Sequence, residues 1–197
     1  ILALASYKPL SEYYWCKLLV LTDEIHEVFT RQVEEPNLEA KLKQDIPILG
    51  EITDSISSKV RKQYEETPYP RWVNLGLSLK PMSISNLVDE VKLKLFEKKI
   101  TEVEKLEILI AGCGTGQHSI ETASRFKFSN LLAVDLSLSS LAYAQRKTEH
   151  LGVENIKYMQ ADILNLGQVN KQFDIIESAG VLHHMDNPIA GWKVLAG

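Results

Sequence analysis

Glycine, acid, acid and a polar loop come after four apolar runs, and together these residue types could hold a nucleoside. The first group is Gly112-Cys113-Gly114-Thr115-Gly116. Glycines there let the backbone turn tightly and approach a ligand without a Cβ in the way. Gly114 is expected to accept no side chain. A dinucleotide fingerprint would place its third glycine at 117, where the sequence has Gln117. Asp135 lies 19 residues beyond Gly116; its carboxylate could accept two hydrogen bonds from a ribose diol, or could cap a helix near Ser137. Asp162 could accept from an exocyclic adenine amine. The last group runs from Glu177 through Ser178, Ala179, Gly180, His183 and His184 to Pro188. A histidine titrates near neutrality, so His183 or His184 could take a proton, although a loop pair of this kind is also a common surface feature.

The elements that must position these groups have a regular pattern. Ile108–Ala111, Leu131–Val134, Ile156–Met159 and Phe173–Glu177 are short apolar runs. Between them lie helical patterns over Ser119–Arg125 and about Leu138–Leu151. Strands alternating with helices imply right-handed βαβ units and a parallel sheet, which binds ligands at the carboxyl ends of its strands. His118, in the first helical turn, suits a buried or capping role. The fold class expected is α/β, a Rossmann-like parallel sheet of about four strands preceded by a mostly helical N-terminal segment.

Residues 1–75 form that segment, and 76–197 the sheet domain. Leu18, Leu19, Leu21, Ile25, Val28 and Phe29 fit one helical face, and Pro36 and Pro47 punctuate the stretch after it. Ile56, Val60 and Tyr64 recur at fours in a helix ending at Thr67-Pro68. The aromatic, proline-rich stretch Tyr64–Trp72 must then be extended or turned, and Tyr69, Arg71 and Trp72 could either close over the site or pack between helices and sheet. Asn86 is read as a helix cap, with Leu87, Val88, Val91 and Leu95 as the buried stripe.

Composition excludes several classes. The chain has 197 residues, 45% of them hydrophobic, with 22 Lys+Arg against 26 Asp+Glu for a net charge of -4. Residues 1–105 carry 15 basic and 17 acidic side chains and residues 106–197 carry 7 and 9. Each part therefore stands at -2, which argues against a nucleic-acid partner. Cys16 and Cys113 are the only cysteines, too few for a disulfide framework or a structural zinc site, so no metal is expected. No apolar run approaches the roughly 18 residues of a membrane span, and the expected location is cytoplasmic. The chain has no initiator Met and stops inside an apolar-periodic segment, so it reads as part of a longer one.

Taken jointly, these motifs resemble the class I S-adenosylmethionine-dependent methyltransferases over about residues 106–197. Ile108–Gly116 looks like that family's first motif, Ala133–Leu136 like its ribose-binding acid, and Asp162-Ile163 like its adenine-contacting position. Phe173–His184 looks like its fourth motif, in the subgroup carrying Val-Leu-His-His. The resemblance implies S-adenosylmethionine as cofactor, S-adenosylhomocysteine as product and an unidentified small-molecule or protein acceptor. It also implies that Gly112, Cys113, Gly114, Gly116, Asp135, Leu136, Asp162, Ile163, Ser178 and Ala179 bind the cofactor, with His183 as candidate base. Ile110 stands where the family has an acid that supports the methionine amino group. Tyr64–Trp72 and Gly114–His118 are similar to bacterial methyltransferase domains that follow tetratricopeptide repeats, which would make residues 1–50 a linker or the end of a helical array.

Two other classes compete. Tyr143 and Lys147 have the Tyr-x-x-x-Lys spacing of short-chain dehydrogenases, but on a helix where i,i+4 neighbours on a solvated face are common. A non-catalytic module of methyltransferase fold is the other. The family's sheet order would leave Phe173–Glu177 at an edge, from which self-association and poor turnover are expected.

Overall fold

A computed structural model of the protein describes residues 1–78, 80–96 and 98–197. The chain divides into two compact units, Ile1–Asp45 and Ile46–Gly197. In the first, helices α1 (Leu2–Tyr7), α2 (Asp23–Phe29) and α3 (Glu35–Asp45) are joined by short 3-10 turns and by a π-helical turn over Thr30–Glu34. Its small core is Leu10, Cys16 and Val33, with Tyr13, Trp15, Val28 and Phe29 packed around it. The single helical face expected over Leu18–Phe29 does not form. Leu18 sits in a 3-10 turn and is exposed, and α2 begins only at Asp23.

The second unit is built on a parallel sheet. Its strands are β1 (Ile48–Leu49), β2 (Leu106–Ala111), β3 (Ser129–Asp135), β4 (Ile156–Ala161) and β5 (Ile175–Glu177), in the order β1-β4-β3-β2-β5. The four expected strands are all present, and neighbours pair in parallel with Ile108 opposite Leu131 on one side and Ile175 on the other. Central β2 is apolar at nearly every position because both faces are covered: Ile108, Ile110 and Ala111 are fully buried. The fifth strand, β1, is not among those expected from the sequence. It pairs with β4 at the far edge, so residues 46–75 stand with the sheet and not with the helices before them.

Helices α4 (Ser55–Glu66), α5 (Ile84–Glu90), α6 (Gln117–Arg125), α7 (Leu138–His150) and α8 (Pro188–Ala196) complete the unit. Side-chain caps set several of their starts. Asp54 accepts from the backbone N–H groups of Ile56 and Ser57 at α4, and Ser137 from Ser140 at α7. At α5 the cap is Ser83 and not Asn86: the Ser83 hydroxyl accepts from the Asn86 N–H. α5 ends at Glu90, just before the left-handed Lys92 at φ 53°, and leaves Val91 exposed, outside the buried stripe.

Residues 46–75 are fastened to α7 by polar contacts. The Glu65 carboxylate accepts from the Ser139 N–H and the Ser137 hydroxyl, both at 3.0 Å, and so satisfies donors at the start of α7. Beyond α4 the strap Tyr69–Val73 lies along the same helix. Tyr143 donates to the Trp72 carbonyl and Lys147 to the Val73 carbonyl. The Tyr-x-x-x-Lys pair is thus buried under the strap, not on a solvated face.

If α4 is part of this unit's cooperative structure, Glu65→Ala should destabilise it by about 1–2 kcal/mol, the worth of a lost helix-terminal acceptor. Urea unfolding followed by circular dichroism measures this. An unchanged midpoint would make residues 46–75 an independent appendage.

Candidate functional site

The carboxyl ends of β2, β3, β4 and β5 open onto one cavity of about 540 Å³, within the size range of small-molecule sites. The loop after β2 supplies its floor. Gly112, Gly114 and Gly116 all have positive φ, at 83°, 53° and 84°, but only at two of them does the surrounding protein also leave no room for a side chain. A Cβ on Gly112 would fall 2.3 Å from a methyl of Val181, and one on Gly116 would fall 2.6 Å from the Cβ of Ala144 in α7. A Cβ on Gly114 would meet only the Tyr69 carbonyl, at 3.7 Å. Its bar to a side chain is therefore backbone conformation, not lack of protein space.

Asp135, at the end of β3, holds this loop in place. One carboxylate oxygen accepts from the Gly114 N–H at 2.8 Å and the other from the Ser137 N–H at 3.0 Å. Burial raises the Asp135 carboxyl above its usual value, against the lowering effect of these backbone donors. Asp135 thus braces the start of α7, and it also lines the cavity. The Leu136 carbonyl accepts from Gln160 at 2.7 Å, fixing the neighbouring wall.

After β4, Asp162 is buried and accepts from the Leu164 N–H at 2.9 Å, capping the 3-10 turn that begins at Ile163. After β5, Ser178 donates to the Ala111 carbonyl at 3.0 Å, tying the fourth loop to the first. Cys113 lines the floor, but burial and then the Asp135 charge push its thiol well above the ordinary value. It stays protonated and has no nucleophilic character at neutral pH.

The structure gathers Gly112, Cys113, Gly114, Asp135, Leu136, Asp162, Ile163 and Ala179 around the cavity. Gly116 and Ser178 do not line it; they shape the loops that do. His183 is exposed and lies outside the lining, where its neighbour His184 stands instead, the two rings 4.0 Å apart. Sequence reasoning misses the roof, formed by Ser57, Val60 and Tyr64 of α4. Their spacing of three and four is visible in the chain, yet nothing local shows which way that face points.

It also misses the partner of His118. His118 lines the cavity, its imidazole Nε2 lies 2.8 Å from Glu177 Oε2, which does not, and Thr122 donates to the same oxygen at 2.8 Å. The Glu177 hydrogen bond raises the His118 pKa, and the His118 and Thr122 hydrogen bonds lower that of Glu177. In place of the buried or capping histidine expected here, the ring is half-buried and paired across the sheet end.

Residues 108–193 match the family described as "Methyltransferase domain". Over 90 residues the chain is 37% identical to an uncharacterized protein of Synechococcus sp., covering 45% of this chain and 22% of that one. A ubiquinone biosynthesis O-methyltransferase of Rickettsia canadensis is 29% identical over 137 residues, covering 68% and 55%. The chain thus spans about half or less of these relatives. Among solved structures, magnesium protoporphyrin IX methyltransferase from Synechocystis PCC 6803 with bound SAM superposes with a TM-score of 0.50 at 22% identity, over 75% of this chain and 73% of that one.

The glycine loop and the histidine pair each have a measurable consequence. Gly116→Ala combines a strained backbone with a clash against α7 and should cost about 2–4 kcal/mol in thermal or urea unfolding. The His118–Glu177 pair stabilises fully above the ordinary Glu value of 4.5 and below the ordinary His value of 6.5. Its contribution falls as pH rises through the raised His118 pKa, and again as pH drops through the lowered Glu177 pKa. The stability margin of the native chain over His118→Gln should therefore peak between those values in melts recorded across pH.

Proposed function

We propose that this class I methyltransferase domain binds S-adenosylmethionine in the strand-end cavity and transfers its methyl group to an acceptor admitted beside it. The observation that carries this reading is the convergence of four strand-end loops on one cavity, with Asp135 hydrogen-bonded to the glycine loop. The residues fit the donor. Gly112 and Gly114 offer backbone without a side chain, and the Ser140 hydroxyl at the wall is buried with no hydrogen-bond partner among the described residues.

In this reading Asp135 accepts from the ribose hydroxyls, while Asp162 and the Ile163 backbone face the adenine. Leu136 and Ala179 pack against the nucleoside. S-adenosylmethionine supplies, when bound, a methyl group activated by a sulfonium. The chain's own contribution is to fix donor and acceptor together and to exclude water, which Val60 and Tyr64 of α4 do from above and Val181 from the side. The Rickettsia canadensis relative is an O-methyltransferase by name, which supports a hydroxyl-bearing acceptor. The cofactor-binding set extends to Gly116 and Ser178 through their shaping of the loops, and His184 replaces His183 as the histidine of that loop nearest the chemistry.

Among the described residues no helix is long and apolar enough to cross a membrane. The acceptor classes in this reading are small molecules and proteins.

Calorimetric titration with S-adenosylhomocysteine tests the reading. The native chain should bind it, and Asp135→Ala should weaken binding by roughly 1.5–3 kcal/mol. Binding of NAD without S-adenosylhomocysteine would overturn the proposal in favour of an oxidoreductase.

A further inference from the structure

We propose that His118, oriented by Glu177, is the group that takes the proton from a hydroxyl acceptor as the methyl group is transferred. The inference rests on the methyltransferase reading above and assigns a base that no part of that reading supplies.

Three side chains form a directed chain that reaches the cavity at His118, the one of them that lines it. Thr122, fully buried in α6, donates to Glu177 Oε2 at 2.8 Å, and that oxygen lies 2.8 Å from His118 Nε2. Glu177 stands at the end of β5 and His118 in the first turn of α6, so the two ends of adjacent strands β2 and β5 meet here. A carboxylate that accepts from Nε2–H leaves the lone pair of the neutral ring on Nδ1. The same carboxylate stabilises the imidazolium once Nδ1 is protonated, the arrangement by which a third group orients a base.

The His118 side chain is 37% exposed and Glu177 only 24%, as expected of a base at the wall with its orienting acid behind it. The charged groups facing His118 are Glu177 from β5 and Glu121 and Arg125 from its own helix, with His184 on the same cavity. The Glu177 hydrogen bond raises the ring's pKa above its ordinary value against the lowering effect of burial, with the Glu177 and Glu121 charges adding to it and Arg125 opposing.

Atoms and electrons balance in this step. The acceptor O–H bond breaks and its proton passes to Nδ1. The freed oxygen electron pair forms the new C–O bond, and the C–S bond breaks with its electrons left on sulfur, giving a neutral thioether. No further reactant is required. Glu177 acts through His118 and is a positioning residue.

The test uses two probe acceptors with S-adenosylmethionine: catechol, whose hydroxyl must lose its proton, and 4-nitrothiophenol, which is ionised at neutral pH. His118→Ala should lower methyl transfer to catechol by about 100-fold or more and leave transfer to the thiolate within about threefold. His118→Gln, which keeps an amide donor toward Glu177, should behave the same way and guards against a folding defect. Glu177→Gln should move the pH profile for catechol toward lower pH. Independently of turnover, nitrogen NMR of the ligand-free protein should show the His118 ring titrating above its ordinary value of 6.5 and falling in Glu177→Gln. Equal losses with both probes would make the pair structural and overturn the proposal, as would no loss with either. So would an NMR titration unmoved by Glu177→Gln. A native chain that binds S-adenosylhomocysteine but methylates only the thiol would refute the base while sparing the methyltransferase reading. Failure to bind S-adenosylhomocysteine at all would instead defeat that reading.

Discussion

A parallel sheet brings its loops to one end, but it does not by itself hold them in a shape that can receive a ligand. Here that shape depends on the Asp135 carboxylate, which spans the Gly114 N–H and the Ser137 N–H. One side chain thereby fixes the glycine loop after β2 against the start of α7. The loop can then stay open, with positive φ at three glycines, because its amide is satisfied from outside. Remove the carboxylate and a half-buried amide loses its partner, at about 1–3 kcal/mol for the unsatisfied group.

The remaining walls build outward from that brace. Val181 closes on Gly112, Ser178 ties the fourth loop to Ala111, and Gln160 fixes Leu136. Glu65 then couples the roof to the same helix start that Asp135 holds from below. The N-terminus of α7 is consequently a junction of floor, wall and roof. Its buried Ser137 and Ser139 spend their hydroxyls there, the single Ser137 proton shared between the Tyr64 carbonyl and the Glu65 carboxylate and the Ser139 proton given to the Glu65 carbonyl.

How much of this is legible in the chain depends on range. The four longer strands and the helices between them carry their own periodicity, so Ile108–Ala111 or Leu138–Leu151 can be placed from neighbours in sequence. The acids Asp135 and Asp162 are legible because a parallel sheet dictates where strand ends lie. β1 is not, since two residues show no period; only the flanking Pro47 and Gly50 hint at it. His118 and Glu177 are separated by 59 positions, and nothing near either residue announces the other. Their meeting comes from β5 lying beside β2. Of the two adjacent histidines, only the turn geometry over Leu182–His184 decides that 184 and not 183 faces the cavity.

The strap Tyr69–Val73 is held by its main chain as well as by the Trp72 ring, whose Nε1–H donates to the Thr115 carbonyl. The carbonyls of Pro70, Trp72 and Val73 accept from Thr115, Tyr143 and Lys147, and a peptide carbonyl is present whatever residue carries it. Substitution at 73 therefore leaves those anchors intact, and Tyr69 hangs over the cavity from a moored backbone with its own side chain largely exposed. A change of the Tyr69 side chain can thus alter what enters the cavity while the loop beneath keeps the same form.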